Sequence, residues 1–214
     1  MFGGDDAPGI VDLQLGGGLC VCALLPTPPL PTRTRLVLYL HRYEARNPAN
    51  TGRLAAACLA ASEGRVAGRD EARAAPFVAP SRALLLYPAP DAVPLDRLPP
   101  TDQPTILVVP DGTWRQAERL RRLVPGLRAL PCVTPPPGPR STYRLRTELR
   151  PDGLATLEAI ARAFAVLEGP AVAAALDRGF RAMVERTLWT RGAIEAGDVT
   201  DGVPDGAVRA ARSR

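Results

Sequence analysis

Three runs, TRLVLYL (34–40), RALLLYP (82–88) and PTILVVP (104–110), are apolar along most of their length and not only at alternate positions. A strand with one solvated face alternates polar and apolar residues, so a near-continuous run of Leu, Val, Ile and Tyr predicts a strand buried on both faces. Both faces then need covering layers, and helical patterns stand between and after the runs. NTGRLAAACLAASEG predicts a helix with Asn50 or Thr51 as N-cap and Gly64 as its stop. Buried strands interleaved with helices predict an α/β fold, a mostly parallel sheet with helices on both faces. Ligands of such sheets bind beyond the carboxyl ends of the strands.

At 214 residues the chain has the length of one domain. Residues 1–32 are rich in Gly and Pro and are expected to be irregular, 33–190 to form the folded domain, and 191–214, which lack aromatic residues, to be a flexible tail. A fourth strand is expected over LRALPCV (127–133), with loops at APDAVPLDRLPPTDQ (89–103) and TPPPGPRST (134–142). Two further helices are marked by Leu157, Ile160, Ala161, Phe164 and Leu167, and by Ala174, Leu176, Phe180 and Val184.

All 27 basic residues are Arg, and the absence of Lys excludes Schiff-base chemistry and a phosphate-loop lysine. No G-x-G-x-x-G occurs, so a dinucleotide-binding reading lacks its fingerprint. Charge is concentrated: Thr113 to Arg150 holds nine Arg against Glu118 and Glu148, whereas the whole chain carries only +5. The rest is slightly acidic. A local arginine field points to a polyanion, with nucleic acid the leading candidate and a solvated face the plain alternative. Cys20, Cys22, Cys58 and Cys132 lack the density of a disulfide framework, which favours a reducing cytoplasm. The N-terminus MFGGDDAPGI has no signal-peptide pattern, and LAAACLAA is too short to span a bilayer, so no membrane association is expected.

The arginine field begins where the third strand ends, at PDGTW (110–114). Asp111 is the only carboxylate there, Gly112 permits close backbone approach, and Thr113 with Gln116 forms a T-x-x-Q capping box. Trp114, Ala117, Leu120 and Val124 make an apolar stripe, whereas Arg115, Arg119 and Arg122 share another face. Free amides at a helix start favour an anionic ligand, and an indole offers a stacking face. Two readings stand side by side: Asp111 as a general base with Trp114 as a platform, or Asp111 and Thr113 as caps with Trp114 in the core.

Two more blocks accompany the D-x-T-W tetrad. STYRLRTELRPDGLATLEAIARAF (141–164) carries S-x-Y-R-L-R and L-x-T-x-E-A; CVCALLPTPPLPTRTRLVLYLHRYEARNPANTGRLAAACL (20–59) carries C-x-C, a proline-rich loop, a strand, H-x-x-E and N-T-G. In this order, over about residues 20–170, they resemble the DTW-domain family of tRNA-uridine aminocarboxypropyltransferases. The resemblance implies transfer of the 3-amino-3-carboxypropyl group from S-adenosylmethionine, as co-substrate, to N3 of a uridine in tRNA, releasing methylthioadenosine. It also implies kinship with SPOUT methyltransferases, whose α/β sheet is knotted. Two alternatives on the same scaffold are a SPOUT-type RNA methyltransferase and a non-catalytic RNA-binding member. Asp111 matches the family acid, with Thr113 and Trp114 completing the catalytic set. The cofactor-binding set is Leu86, Tyr87, Pro88, Pro110, Gly112, Leu130, Cys132, Tyr143, Leu145, Thr156 and Glu158. The RNA-binding set is Arg115, Arg119, Arg122, Arg140, Arg144 and Arg146, with tRNA or another structured RNA as partner and either a monomer or a homodimer as the working unit.

Two departures stand out. Many family members carry an upstream cysteine pair that completes a zinc knuckle; here Cys20 and Cys22 read as its remnant, and no metal is expected. Ala155 stands where the family usually has Ser. His41, the only histidine, matches H-x-x-E and reads as a hydrogen-bonded structural residue.

Overall fold

The structure, a computed structural model, describes residues 19–47, 50–67, 80–145 and 153–209. Its centre is a six-stranded sheet: β1 (Arg35–His41), β2 (Ser62–Ala67), β3 (Arg82–Leu86), β4 (Val93–Pro94), β5 (Thr105–Asp111) and β6 (Cys132–Thr134), in the order β2-β1-β5-β3-β6-β4. Every pairing in it is parallel. The helices are α1 (Thr51–Cys58), α2 (Trp114–Leu123), α3 (Thr156–Leu167) and α4 (Pro170–Thr190).

Pleating divides each strand between two cores. Leu36, Leu38, Leu40, Leu107 and Val109 pack with α1, α3 and α4, including Leu54, Ile160, Phe164 and Phe180. The residues between them, Val37, Tyr39 and Val108, point the other way and pack with Leu120 of α2 and with Leu127. Continuous apolar runs are what a sheet covered on both faces requires, and the α/β expectation holds.

Several boundaries differ from expectation. The helix expected to reach Gly64 ends at Cys58, because the proline-rich segment captures the chain. Leu30 donates its N–H to the Cys58 carbonyl at 2.8 Å and accepts from the Ala60 N–H at 2.9 Å, drawing Leu59 into an extended conformation. SEGRVA is thereby freed to form the edge strand β2. The strand expected over 127–133 covers only Cys132–Thr134, since Gly126 turns the chain at φ +84° into a short 3-10 turn at Leu127–Ala129. Its carboxyl end therefore lies at Thr134. The expected loop at 89–103 contributes the two-residue edge strand β4.

The flanking segments also pack. Leu19 and Val21 are buried, and Arg186 of α4, itself buried, donates to the Cys20 carbonyl. Cys20 and Cys22 are bonded to each other. The segment after Arg191 is expected to fray, but its described part, residues 192–209, folds back so that Val199 joins Leu19 and Trp189 in a small third cluster. Arg178 holds Asp201 through two guanidinium hydrogen bonds. Isolated apolar residues in a Gly- and Asp-rich stretch give no periodic signal, which is why composition alone misreads it. Among the described residues no helix is long and apolar enough to cross a membrane.

Candidate active site

β5 ends on Asp111, beside Leu40 of β1. On its other side β3 pairs with β5 only as far as Val108, so the strands part beyond that point. The gap at their carboxyl ends opens a cavity of about 630 Å³. β3 lines it with Leu86, Tyr87 and Pro88, and β5 with Val109, Pro110 and Gly112. The start of α2 adds Thr113, Trp114 and Ala117, β6 adds Val133 and Thr134, and the loop after it adds Pro135 to Ser141. Among the described residues, its charged lining groups are both cations, Arg140 and Arg162.

Asp111 itself does not line this cavity. Its carboxylate is only 3% exposed and forms part of a small polar niche with Glu44, Asn47, Asn50 and Tyr143. Gly112 and Thr156 border both spaces, so Asp111 stands at the partition between them. Oδ2 accepts a hydrogen bond from Asn50 Nδ2 at 2.5 Å, and Oδ1 accepts one from the Thr156 hydroxyl.

Each residue of the N-T-G triplet has a use here. Asn50 caps α1, its Oδ1 accepting from the Arg53 N–H at 2.8 Å while its amide holds Asp111. The Thr51 hydroxyl accepts from the Leu157 N–H at 3.4 Å, tying the start of α1 to the start of α3. Gly52 leaves room for the acid: a Cβ there would lie 3.1 Å from Asp111 Cγ and Oδ2 and 3.0 Å from Leu38 Cδ1. The three motifs seen in the sequence, N-T-G, D-x-T-W and L-x-T-x-E-A, thus meet at one carboxylate.

The start of α2 is built as expected. The Thr113 N–H donates to Gln116 Oε1 at 2.7 Å and the Gln116 N–H to Thr113 Oγ1 at 3.4 Å. Gly112 has φ +154°, and a Cβ would come within 2.8 Å of the Gln116 side chain, so only Gly fits the approach to this cap. Trp114 lies in the cavity wall, between the stacking and core readings left by the sequence.

The opposite wall is held from α3. Glu158 is buried and accepts from the Ser141 hydroxyl at 2.5 Å, the Thr142 N–H at 2.7 Å, the Thr142 hydroxyl at 3.1 Å and the Ala155 N–H at 2.8 Å. One turn later Arg162 donates to the Pro139 carbonyl. Glu158, expected to touch cofactor, instead anchors the loop that forms the cavity wall. Its bond to Ala155 closes α3 in the way a capping box does, without the Ser the family usually has there.

Other expected residues are dispersed. Leu130 and Cys132 lie in the α2-side core, because β6 begins at Cys132 and its ligand-side end falls two residues later. Tyr143 borders the niche and stacks on Phe180 at 5.9 Å, and Leu145 packs on the main core. Arg115, Arg119, Arg122 and Arg144 are exposed, Arg140 lines the cavity, and Arg146 lies outside the described residues. Arg121, one residue off the exposed face, places its guanidinium 5.4 Å from the Tyr87 ring centroid, behind the cavity. His41 is ring-packed against Tyr43 at 5.3 Å, and its Nδ1 is buried without a hydrogen-bond partner.

Asn50, Gly52, Arg162 and the prolines of 135–139 escaped the reading of the sequence as site residues. Asn50 is indistinguishable from an ordinary cap until β5 is placed beside it. Burial pushes the Cys58 thiol up to about 12, and burial also raises Cys132, with Arg121 opposing. Neither is poised as a nucleophile. Among the described residues no cluster of His, Cys, Asp and Glu could hold a metal ion.

The DTW domain family model matches residues 14–188. Among the curated relatives, tRNA-uridine aminocarboxypropyltransferase 2 of Drosophila melanogaster is 31% identical over 185 residues, covering 83% of this chain and 73% of the relative. The proteins of the same name from Macaca fascicularis and Mus musculus are 30% and 29% identical over 158 residues. The chain spans about half the length of these two, 53% of each. No solved structure matches. With the family's motifs gathered at one buried carboxylate and the match running through most of its length, this chain belongs to the DTW-domain family.

Proposed function

We propose that this protein is a transferase that moves the 3-amino-3-carboxypropyl group of S-adenosylmethionine to N3 of a uridine in tRNA, releasing methylthioadenosine. The observation that carries the reading is the position of Asp111. Asn50 and Thr156 hold it at the partition between a cavity of about 630 Å³ and a polar niche. The relatives named for this activity support it.

The cavity suits the co-substrate. Its volume falls in the range of ligand pockets, about 300–1,000 Å³. Leu86, Tyr87 and Pro88 line it together with the prolines of 135–137 and supply apolar surface for adenine. Arg140 and Arg162 offer donors for a carboxylate. The sulfonium of the co-substrate supplies an activated carbon.

Uridine N3 is a poor nucleophile until its proton leaves, so a carboxylate beside it is useful as base. In the proposed step the N3–H proton passes to Asp111 and N3 bonds to the methylene carbon. The carbon–sulfur bond breaks with its electron pair going to sulfur, which becomes a neutral thioether. Asn50 and Thr156 orient the acid, and Glu158 holds the loop that walls the cavity. The exposed Arg115, Arg119, Arg122 and Arg144 take the RNA phosphates.

Incubation with S-adenosylmethionine and bulk tRNA, followed by mass spectrometry, tests the reading. Methylthioadenosine and an aminocarboxypropylated uridine are expected. S-adenosylhomocysteine in their place assigns methyl transfer, and tRNA binding without either product assigns a non-catalytic module. Asp111→Asn is expected to keep co-substrate affinity and lose turnover; an active variant removes Asp111 as base.

A further inference from the structure

The turn after β1 presents a large aromatic to solvent. Tyr43 is 64% exposed, the residues around it in the sequence being His41, Arg42 and Glu44. The Arg42 guanidinium lies 4.8 Å from the ring centroid, and its Nη2 donates to the Tyr43 hydroxyl at 3.0 Å. His41 packs against the ring at 5.3 Å with a 44° tilt, so the ring is steadied on a strand end without being buried.

Its location gives this exposure a use. Leu40 of β1 is the register partner of Asp111, and Glu44, the residue after Tyr43, lines the niche that Asp111 lines. The exposed aromatic is thus one residue from an acid that shares a niche with Asp111. An enzyme that works on a ring nitrogen acts on an unpaired base or takes the base out of its stack, and a base drawn into a site leaves its neighbour uncovered. An aromatic face restores that stacking for any base, and an adjacent guanidinium meets its phosphate.

We propose that Tyr43 and Arg42 form a platform for the nucleotide next to the target uridine, the base stacking on the Tyr43 ring and Arg42 moving from the ring to the phosphate. This rests on the reading of the protein as an RNA-modifying enzyme and adds a contact that D-x-T-W, N-T-G and L-x-T-x-E-A do not contain.

The test is fluorescence anisotropy of end-labelled bulk tRNA titrated with full-length protein over a range of salt. Tyr43→Ala is expected to weaken binding roughly 5- to 150-fold, the fold-change of about 1–3 kcal/mol of stacking. Tyr43→Phe and Tyr43→Trp keep affinity within about twofold, because the ring face and not the hydroxyl is used. Arg42→Gln lowers the slope of log K against log salt by about one, whereas Tyr43→Ala leaves it unchanged. Melting temperature and S-adenosylmethionine affinity stay at wild-type values in all four variants. Wild-type affinity in Tyr43→Ala, or an equal loss in Tyr43→Phe, overturns the platform and leaves the proposed function standing. A wild-type protein that neither binds tRNA nor releases methylthioadenosine overturns that function and the platform with it.

Discussion

Asn50 and Asp111 are 61 residues apart in sequence and joined by a hydrogen bond of 2.5 Å from amide to carboxylate. The other end of the same amide caps α1. One side chain therefore couples the start of a helix to the orientation of an acid. Asn50→Ala removes both functions: the lost cap costs about 1 kcal/mol, and a buried carboxylate short of a donor about 1–3 kcal/mol more. Asn50→Asp keeps the cap acceptor but sets two carboxylates together. Thermal melts should show a smaller loss for Asn50→Asp at low pH than at neutral pH, with the rising limb of its turnover profile moved to higher pH. A profile coincident with wild type would disconnect Asn50 from the acid.

Gly52→Ala separates helix propensity from site geometry. Alanine in a helix is worth about 1 kcal/mol over glycine, so an unobstructed site would gain stability. Here the new methyl meets Leu38 at 3.0 Å and Asp111 at 3.1 Å, one in the core and the other pinned by two hydrogen bonds. Overpacking of this kind costs about 1–3 kcal/mol. The expected result is a lowered melting temperature with turnover reduced at least about tenfold, read by calorimetry and a methylthioadenosine release assay. A stabilised and active variant would show that the carboxylate can give way.

Much of this arrangement was legible beforehand, and the limits have physical reasons. The apolar runs mark three strands because they are short, rich in β-branched and aromatic residues, and in two cases closed by proline. The T-x-x-Q box at Thr113 and Gln116 is local chemistry and reads directly. The sequence pattern overextends α1 because the helix end is imposed by Leu30, an interaction across 28 residues that no local pattern carries. The same holds for Asn50: capping is a local signal, whereas its second bond exists only once β1 and β5 are paired. Glu158 reads as a ligand residue from the likeness of its T-x-E pair to the family's, yet four donors within the chain already surround it.

Glu158 gives a prediction of its own. Charge-assisted hydrogen bonds of this kind contribute about 1.5–3 kcal/mol each at most and share one desolvation cost, so Glu158→Ala is expected to lose about 3 kcal/mol in urea unfolding. The loop it anchors should then open. Limited proteolysis after Arg140 and Arg144 would quicken relative to cleavage after the exposed arginines of α2. Glu158→Gln, which keeps acceptor capacity at one oxygen, should fall between. Equal cleavage rates in all three proteins would remove the anchoring role.

Cys58 supplies a pH signature. Its thiol is fully buried and raised to about 12 from an ordinary 9.0. A folded-state value above the unfolded one means that stability is undiminished below pH 9.0 and declines as pH rises toward about 12, because only the unfolded thiol ionises in that window. The slope is about 1.4 kcal/mol per pH unit for one group. Wild-type protein and Cys58→Ala, compared by urea unfolding at pH 8 and pH 10, should differ in this slope while a thiol reagent at pH 8 leaves native Cys58 untouched. Parallel slopes, or rapid native labelling at Cys58, would contradict its burial.

The arginines of α2 divide by geometry. Arg119 and Arg122 are exposed, whereas Arg121 lies over the Tyr87 ring behind the cavity. Phosphate contacts release counterions and therefore appear in the salt dependence of binding, whereas a guanidinium supporting a cavity wall does not. Arg119→Ala combined with Arg122→Ala should lower tRNA affinity and reduce the slope of log K against log salt by about two, with S-adenosylmethionine affinity unchanged. Arg121→Ala should do the reverse, weakening S-adenosylmethionine binding through loss of the cation over Tyr87, worth about 0.5–2 kcal/mol, and leaving the salt slope alone. A slope unaltered by the double substitution would make that helix face a solvated surface, and the RNA would then have to be held by Arg140, Arg144 and the turn after β1.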